Sequence, residues 1–181
     1  MEYFYHYQLC DDKIKEMRDE INQVVERYSD KVEGNISTMY SNQYHLNDEC
    51  RGKFPISLQV LKDIIADCLG ETNVYMSNGW TVYGKRGGYH VVHRHNLESK
   101  DIKDICTVTY LDVGEEDEWH CGNLFFFIKG EARNFTPSTG DVIVFPGSMY
   151  HGTYPQTSEM RQTLNIDFNR SEEYFPKDFL A

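Results

Sequence analysis

The sequence predicts an α+β fold in which two helices precede a jelly-roll sandwich of β-sheets. Residues 11–28 and 55–69 carry apolar side chains at three- and four-residue steps, the spacing of one helix face. After the second helix, short runs of β-branched and aromatic residues alternate with Gly, Pro, Asn and Asp. No linker, internal repeat or low-complexity stretch divides the chain. We therefore expect a single domain over residues 1–181, with a helical region at 1–72 and a jelly-roll core at 73–170.

Both helices carry end signals in addition to an apolar stripe. Asp11 or Asp12 can cap the first helix, whose stripe consists of Ile14, Met17, Ile21, Val24, Val25 and Tyr28. Pro55 suits the first turn of the second helix, and Gly70 suits the position just past its end. The stripe of the second helix consists of Leu58, Leu61, Ile64, Ile65 and Cys68. Residues 36–46 have a weaker pattern that predicts a strand or a loop.

The region after residue 72 contains eight predicted strands. Each is a short run with the residue types that favour a pleated, half-buried surface. The strands are predicted near 73–83, 88–95, 105–111, 122–129, 132–136, 141–145, 149–154 and 162–168.

Composition excludes several classes of function. The chain has 18 Lys and Arg against 29 Asp and Glu, a formal net charge of −11, so we expect no nucleic-acid partner. It contains no apolar run near the roughly 20 residues that span a bilayer, and no signal-peptide pattern, so we expect no membrane partner. Its five Cys include no C-x-x-C pair, which favours free thiols in a reducing compartment. We expect a cytoplasmic protein, and we interpret the acidic run 115–118 as a solvated loop.

Three histidines form the candidate metal site. His93 and His95 project to the same face if they lie on a strand, because residues i and i+2 of a strand share a face. His151 follows a turn at the end of another strand, and the facing strands of a jelly roll would bring it to the first two. Imidazole is the commonest metal ligand in proteins. We interpret His6, His45 and His120 as structural or surface residues. His90 falls on the opposite face of the predicted strand unless a bulge intervenes.

The residues around these histidines resemble the Fe(II)/2-oxoglutarate-dependent oxygenase superfamily. His151 and Arg161 have the separation of that family's second iron-binding His and the Arg that binds 2-oxoglutarate. Thr163 stands where the family usually has Ser. Other segments that match, in the family's order, are 106–111, 121–124 and 137–146. The stretch 80–169 carries the likeness, and its two ends resemble a branch common among phage and marine bacterial sequences, with His-x-His for His-x-Asp.

The resemblance implies a double-stranded β-helix core with N-terminal support helices, and it implies a chemistry. Fe(II) would bind His93, His95 and His151. The cosubstrate 2-oxoglutarate would bind Arg161 and Thr163, with Tyr110 as a further donor. With O₂, such a site hydroxylates a small molecule or a peptide or protein side chain. A viral protein of this kind would act in the host cytoplasm.

One position departs from the family pattern. His95 stands where the family's iron triad has a carboxylate. A two-His, one-carboxylate triad leaves open positions on non-haem iron. Two possibilities follow: His95 is itself the third ligand, or water or another carboxylate completes the site. Asp167 and Glu98 are the candidate carboxylates.

Two rival classes remain from the sequence. A cupin-type metal-dependent dioxygenase or isomerase also has His-x-His followed by a late His, but the spacing after Glu98 and before His151 does not fit. A non-enzymatic β-sandwich would explain the aromatic content of 14% but not three His aligned with an Arg. Residues 84–88 are interpreted as a hairpin turn, with a mobile basic lid as the alternative. No sequence feature indicates an oligomeric state.

Overall fold

The protein is described by a computed structural model that has two helices and ten strands in its described part. The residues described are 4–28, 31–32, 40–46, 50, 52–95, 104–117 and 120–170. The helices are α1 (Asp11–Tyr28) and α2 (Pro55–Leu69). The strands are β1 (Tyr5–Gln8), β2 (Lys31–Val32), β3 (Ser41–His45), β4 (Val74–Gly84), β5 (Asp104–Val113), β6 (Leu124–Ile128), β7 (Glu131–Phe135), β8 (Asp141–Pro146), β9 (His151–Thr153) and β10 (Arg161–Arg170).

Two antiparallel sheets form the sandwich. The major sheet has the strand order β1-β8-β5-β10-β4-β3-β2 within the described residues, and the minor sheet has the order β7-β6-β9. The long central strand β10 pairs with β5 on one side and β4 on the other. The N-terminal region supplies β1, β2 and β3 to the major sheet as well as both helices. The predicted helices at 11–28 and 55–69 are confirmed at both ends.

The helices cover one face of the major sheet. Their buried residues Met17, Ile21 and Leu61 share a hydrophobic cluster with alternate residues of the sheet strands. On β8, Val142 and Val144 belong to this cluster, whereas Ile143 and Phe145 belong to a second cluster that includes residues of the minor sheet. The period of two in a strand explains this division, because successive side chains point to opposite faces. Neither helix of the described chain is long and apolar enough to cross a membrane.

The predicted strand at 88–95 is wrong. Isolated bridge positions form there in place of a continuous strand, and at one of them His93 and His151 exchange two backbone hydrogen bonds of 2.9 Å. The segment follows a tight turn, closed by a hydrogen bond from Gly88 N–H to the Lys85 carbonyl. It then runs beside β9 with widely spaced hydrogen bonds, from Thr153 N–H to the His90 carbonyl and from His95 N–H to Gly147. The predicted turn at 84–88 fits this geometry.

The sequence did not predict β1. This strand pairs with β8 at one edge of the major sheet, with Tyr5 opposite Val144. The backbone N–H of Leu9 donates to the Gly140 carbonyl, which extends the contact beyond the strand. Within residues 36–46, the part from Ser41 onward forms β3, whereas 36–39 lie outside the described residues.

Candidate metal centre

Strand β10 supplies a row of buried polar side chains. Its residues Leu164, Ile166 and Phe168 are fully buried against the helices. The alternate residues point the other way, toward the minor sheet, and each is at most 9% exposed: Arg161, Thr163, Asn165 and Asp167. Buried polar groups cost stability unless they are hydrogen-bonded or serve a ligand. This row therefore marks the inside of the sandwich as the candidate site.

A cavity lies between the two sheets beside this row. The empty space between the sheets is about 700 Å³ when its opening to solvent is included. One wall comes from β4, β5 and β10 of the major sheet, and the other comes from β6, β9 and the segment before His95. Lining residues include Trp80, Val82, Cys106, Val108, Tyr110, Leu124, His90, His93, His95, His151, Arg161 and Thr163.

Three imidazoles converge in this cavity, as the sequence predicted. The donor atoms of His93, His95 and His151 all lie within 4.8 Å of one another. Ring centroids are 4.3 Å apart for His93 and His151, 5.1 Å for His95 and His151, and 5.3 Å for His93 and His95. The bridge between His93 and His151 is what brings the His-x-His segment to β9. The role of these residues as metal ligands stays a prediction.

Each of the three rings has its Nδ1 atom hydrogen-bonded to an oxygen. His93 Nδ1 lies 2.8 Å from the Val91 carbonyl, and His151 Nδ1 lies 2.9 Å from the Met149 carbonyl. A carbonyl oxygen can only accept, so Nδ1 of both rings carries the proton and donates. A neutral ring then has its lone pair on Nε2. Metal-binding histidines are oriented in this way, with the second nitrogen donating to a carbonyl or carboxylate.

The surroundings of His93 and His151 favour the neutral form of both rings. Burial lowers the pKa of His151 well below its usual range, and the nearby rings of His93 and His95 lower it further. Burial also lowers the pKa of His93, although its hydrogen bond to Val91 opposes this. A metal binds imidazole through the lone pair of the neutral form. The donor set therefore fits a divalent transition metal such as Fe(II).

The candidate carboxylate Asp167 lies behind His95. Nδ1 of His95 is 2.9 Å and 3.0 Å from the two carboxylate oxygens of Asp167. The thiol of Cys106 lies 3.1 Å from the same nitrogen. Asp167 therefore contacts the His95 ring and is not itself a member of the cluster formed by His93, His95 and His151. The other candidate, Glu98, lies outside the described residues.

Arg161 lines the cavity with part of its guanidinium unpaired. Its Nη2 donates to Glu116 at 2.8 Å, and its Nη1 donates to the carbonyl of Gly122. Its Nε is buried without a hydrogen-bond partner among the described residues. The guanidinium lies 5.8 Å from the ring of Tyr110, and Thr163 also lines the cavity. A buried N–H without a partner is costly, and an incoming carboxylate would satisfy it.

Gly122 lies in the segment 121–124 that resembles the family pattern, and its surroundings leave no room for a side chain. Gly122 has a positive φ of 63°, a conformation that suits glycine. A Cβ at this position would collide with Nη2 of Arg161 and would approach Glu116 Oε1 to 2.6 Å. Gly122 thus makes room for the guanidinium in its observed position.

The prediction of a solvated acidic loop at 115–118 is wrong for Glu116. Its carboxylate accepts hydrogen bonds from the backbone and hydroxyl groups of Thr157 and Ser158, besides Arg161. Burial opposes ionisation, but these hydrogen bonds and the charge of Arg161 outweigh it and lower the pKa of Glu116. The charge pattern hid this role because nothing in it separates Glu116 from its acidic neighbours. Glu116 therefore connects the Arg161 guanidinium to residues 157–158 and helps to fix the position of that guanidinium.

Glu116→Gln should destabilise the protein at neutral pH and flatten its acid response. Replacing a carboxylate that accepts several hydrogen bonds should lower Tm at pH 7 by roughly 5 °C. Because the folded pKa lies below the ordinary 4.5, the carboxylate contributes fully above that pH and loses its contribution as pH falls through the folded value. The gap in Tm between wild type and variant should therefore close with acidification. Thermal unfolding by circular dichroism between pH 3 and 7 measures it, and a pH-independent gap would contradict it.

Of the remaining histidines, His90 lies beside the three-imidazole cluster, although the predicted strand placed it on the opposite face, because the segment is not a regular strand. His90 lines the cavity, its ring lies 6.4 Å from that of His93, and burial lowers its pKa to about 4. His6 Nε2 lies 2.7 Å from Asp141 at the sheet edge, which fits the structural role predicted for it.

The turn at 84–88 makes two ion pairs with other segments, because Arg86 pairs with Asp117 at 3.0 Å and with Glu159 at 2.8 Å.

Solved structures share this architecture, although no protein-family model and no curated protein matches the sequence. A prolyl-4-hydroxylase of Pseudomonas putida has a TM-score of 0.67 and 17% identity, covering 94% of both chains. The protein HygX of Streptomyces hygroscopicus, with nickel and 2-oxoglutarate bound, has a TM-score of 0.69 and 11% identity, covering 94% of this chain and 84% of that one. A prolyl hydroxylase from Trichoplax adhaerens, in complex with a peptide fragment of hypoxia inducible factor, has a TM-score of 0.68 and 14% identity, covering 93% of this chain and 84% of that one.

The chain shares their fold. The predicted α+β architecture, with a jelly-roll core and accompanying helices, is therefore confirmed. At these identities the likeness concerns the fold, and the function has to be argued from the site itself.

Proposed function

We propose that this protein is an Fe(II)- and 2-oxoglutarate-dependent oxygenase, a hydroxylase of a small molecule or of a peptide or protein side chain. The observation that carries the proposal is the cluster of three imidazoles, each with Nδ1 hydrogen-bonded to an oxygen, in a cavity that also contains Arg161. The neighbouring structures support it, since they include prolyl hydroxylases and a protein with nickel and 2-oxoglutarate bound.

The residues have separate tasks in this proposal. His93, His95 and His151 would hold Fe(II) through the lone pairs left on Nε2. Arg161 would bind the far carboxylate of 2-oxoglutarate with its unpaired N–H, and Thr163 and Tyr110 would add hydrogen-bond donors nearby. Burial raises the pKa of Tyr110, so its hydroxyl keeps its proton at neutral pH. Iron and 2-oxoglutarate together would supply the oxidative chemistry, in which one atom of O₂ enters succinate and the other enters the substrate.

The protein's own contribution is a pocket with largely apolar walls. Apolar side chains surround the three imidazoles: Val82, Val108, Leu124 and Phe145. Exclusion of water strengthens the charge interaction between Arg161 and an anionic cosubstrate. The same walls keep the reacting centre away from solvent. One neighbour is a complex with a peptide fragment and another is a complex with hygromycin B, so both substrate classes stay in the proposal.

An anaerobic spectrum tests the proposal. Purified protein loaded with Fe(II) and then with 2-oxoglutarate should develop the weak visible charge-transfer band of a chelated 2-oxo acid. Iron binding without the band would favour the cupin-type alternative with a three-His site. No metal binding at all would remove the proposal.

A further inference from the structure

The three imidazoles differ in the group behind them. Nδ1 of His93 and of His151 donates to an uncharged backbone carbonyl, that of Val91 and that of Met149. Nδ1 of His95 instead faces both oxygens of Asp167, at 2.9 Å and 3.0 Å. Only one of the three described rings therefore has a carboxylate partner. It is the ring that occupies the sequence position of the triad carboxylate.

The pair of His95 and Asp167 is sheltered from water. The side chains are 13% and 7% exposed, and Asp167 projects from the central strand β10. Asp167 pairs across the sheet with Cys106 of β5 and Asn78 of β4, so its backbone is fixed on both sides. A buried carboxylate is costly unless it is paired and hydrogen-bonded. In the described residues the ion-pair partner that Asp167 has is His95.

We propose that Asp167 is the positioning residue of the metal centre. It also supplies a negative charge next to the metal, whereas in a centre with two His and one carboxylate that charge belongs to a direct ligand. It holds the Nδ1 proton of His95, which aims Nε2 at the space shared with His93 and His151. A carboxylate acceptor makes an imidazole a more basic ligand than a carbonyl acceptor does. The two-residue unit would thus offer a divalent ion one nitrogen donor and one nearby charge. This inference rests on the proposed function.

A second arrangement of the same atoms is the main competitor. His95, Cys106 and Asp167 also have ligand atoms within 4.8 Å of one another. A metal at that position would displace the Nδ1 proton of His95 and would bind the Cys106 thiolate. With Co(II) as probe, thiolate ligation gives an intense near-ultraviolet charge-transfer band, whereas nitrogen ligation does not. The appearance of that band would overturn the inference.

Titration of the apoprotein with Co(II) tests the positioning role without any turnover. Asp167→Asn keeps the size of the side chain and an oxygen that can accept a hydrogen bond from Nδ1 of His95, but it removes the charge. We expect it to weaken Co(II) binding about 10- to 100-fold. Asp167→Glu, which restores the charge, should recover most of the affinity. Equal affinity of wild type and Asp167→Asn would overturn the inference.

The chain offers a matched control. Asp141 is also a buried carboxylate bonded to a histidine, with its Oδ1 at 2.7 Å from His6 Nε2 at the sheet edge. Asp141→Asn should therefore leave Co(II) affinity unchanged, even where it lowers Tm. If Asp141→Asn weakened Co(II) binding as much as Asp167→Asn, the effect would be one of general destabilisation and the inference would fail.

A double-mutant cycle separates a charge role from a packing role. In a His95→Asp background a carboxylate is itself the ligand, so the charge of Asp167 is no longer needed. Asp167→Asn should then cost less than about threefold in Co(II) affinity, against 10- to 100-fold in the wild-type background. An equal cost in both backgrounds would show that Asp167 acts through the fold. Failure of wild type to bind Co(II) would instead overturn the proposed function, and this inference with it.

Discussion

His151→Ala should abolish metal binding and turnover. His151 is 5% exposed and lies at the start of β9, where it both bridges to His93 and supplies a donor atom. The substitution removes one of three nitrogen donors, and even loss of a group behind a ligand costs about 10- to 100-fold in metal affinity. We therefore expect a loss of more than about 100-fold for His151 itself. Co(II) titration and succinate release measure the two effects.

Thermal unfolding gives an independent measurement of the same prediction. A ligand at about 100 times its Kd stabilises the native state by roughly 2.7 kcal/mol, which for a chain of this size corresponds to about 5–10 °C. Wild type should show this rise in Tm with added Co(II), and His151→Ala should not. His45→Ala is the matched control, because His45 is an exposed residue of β3 away from the cavity. Metal-dependent stabilisation that survives in His151→Ala would contradict the assignment.

Arg161→Ala should leave metal binding intact and weaken the binding of 2-oxoglutarate. Truncating one partner of a buried, hydrogen-bonded charge pair costs about 2–5 kcal/mol, so we expect a rise of roughly 30-fold or more in the concentration needed. Arg161→Lys keeps the charge but loses the planar guanidinium, so its affinity for 2-oxoglutarate should lie between those of wild type and Arg161→Ala. The intensity of the anaerobic Fe(II) band against 2-oxoglutarate concentration measures the affinity.

Two further variants give this prediction its controls. Arg86→Ala removes an exposed Arg that pairs with Asp117 and Glu159, and it should not change cosubstrate affinity. Gly122→Ala leaves Arg161 in the sequence but places a methyl group against its guanidinium, so it should reproduce part of the Arg161→Ala loss. Unchanged affinity in Arg161→Ala would show that another residue binds the cosubstrate.

Local sequence patterns were sufficient to predict both helices and three of the strands. Both helices were predicted with their observed ends, because the apolar stripe, Pro55 and Gly70 are all local signals. The strands β5, β8 and β10 were predicted for a similar reason, since each carries a run of residues buried on two faces. The three histidines were found because two share a short motif and the third has an Arg at a family spacing.

The remaining features depend on contacts that are distant in sequence. β1 has only four residues, too few for a sequence pattern to predict a strand, and it is a strand because it pairs with β8. The segment at 88–95 has strand-forming residues, but its path is set by spaced hydrogen bonds to β9. Glu116 looked like any acidic loop residue, since its partners Thr157 and Ser158 are 41 and 42 residues away in the chain. Asp167 was considered as a ligand, and only the fold shows it behind His95.

The pairing of β1 with β8 has a consequence for handling the protein. β8 is buried along its whole length and carries the apolar run Val142–Phe145. Without residues 5–8, its outer backbone N–H and C=O groups would become a bare sheet edge, a ready template for another chain. A variant shortened to begin at Leu9 should therefore self-associate and precipitate on warming, even though no residue of the cavity has been touched.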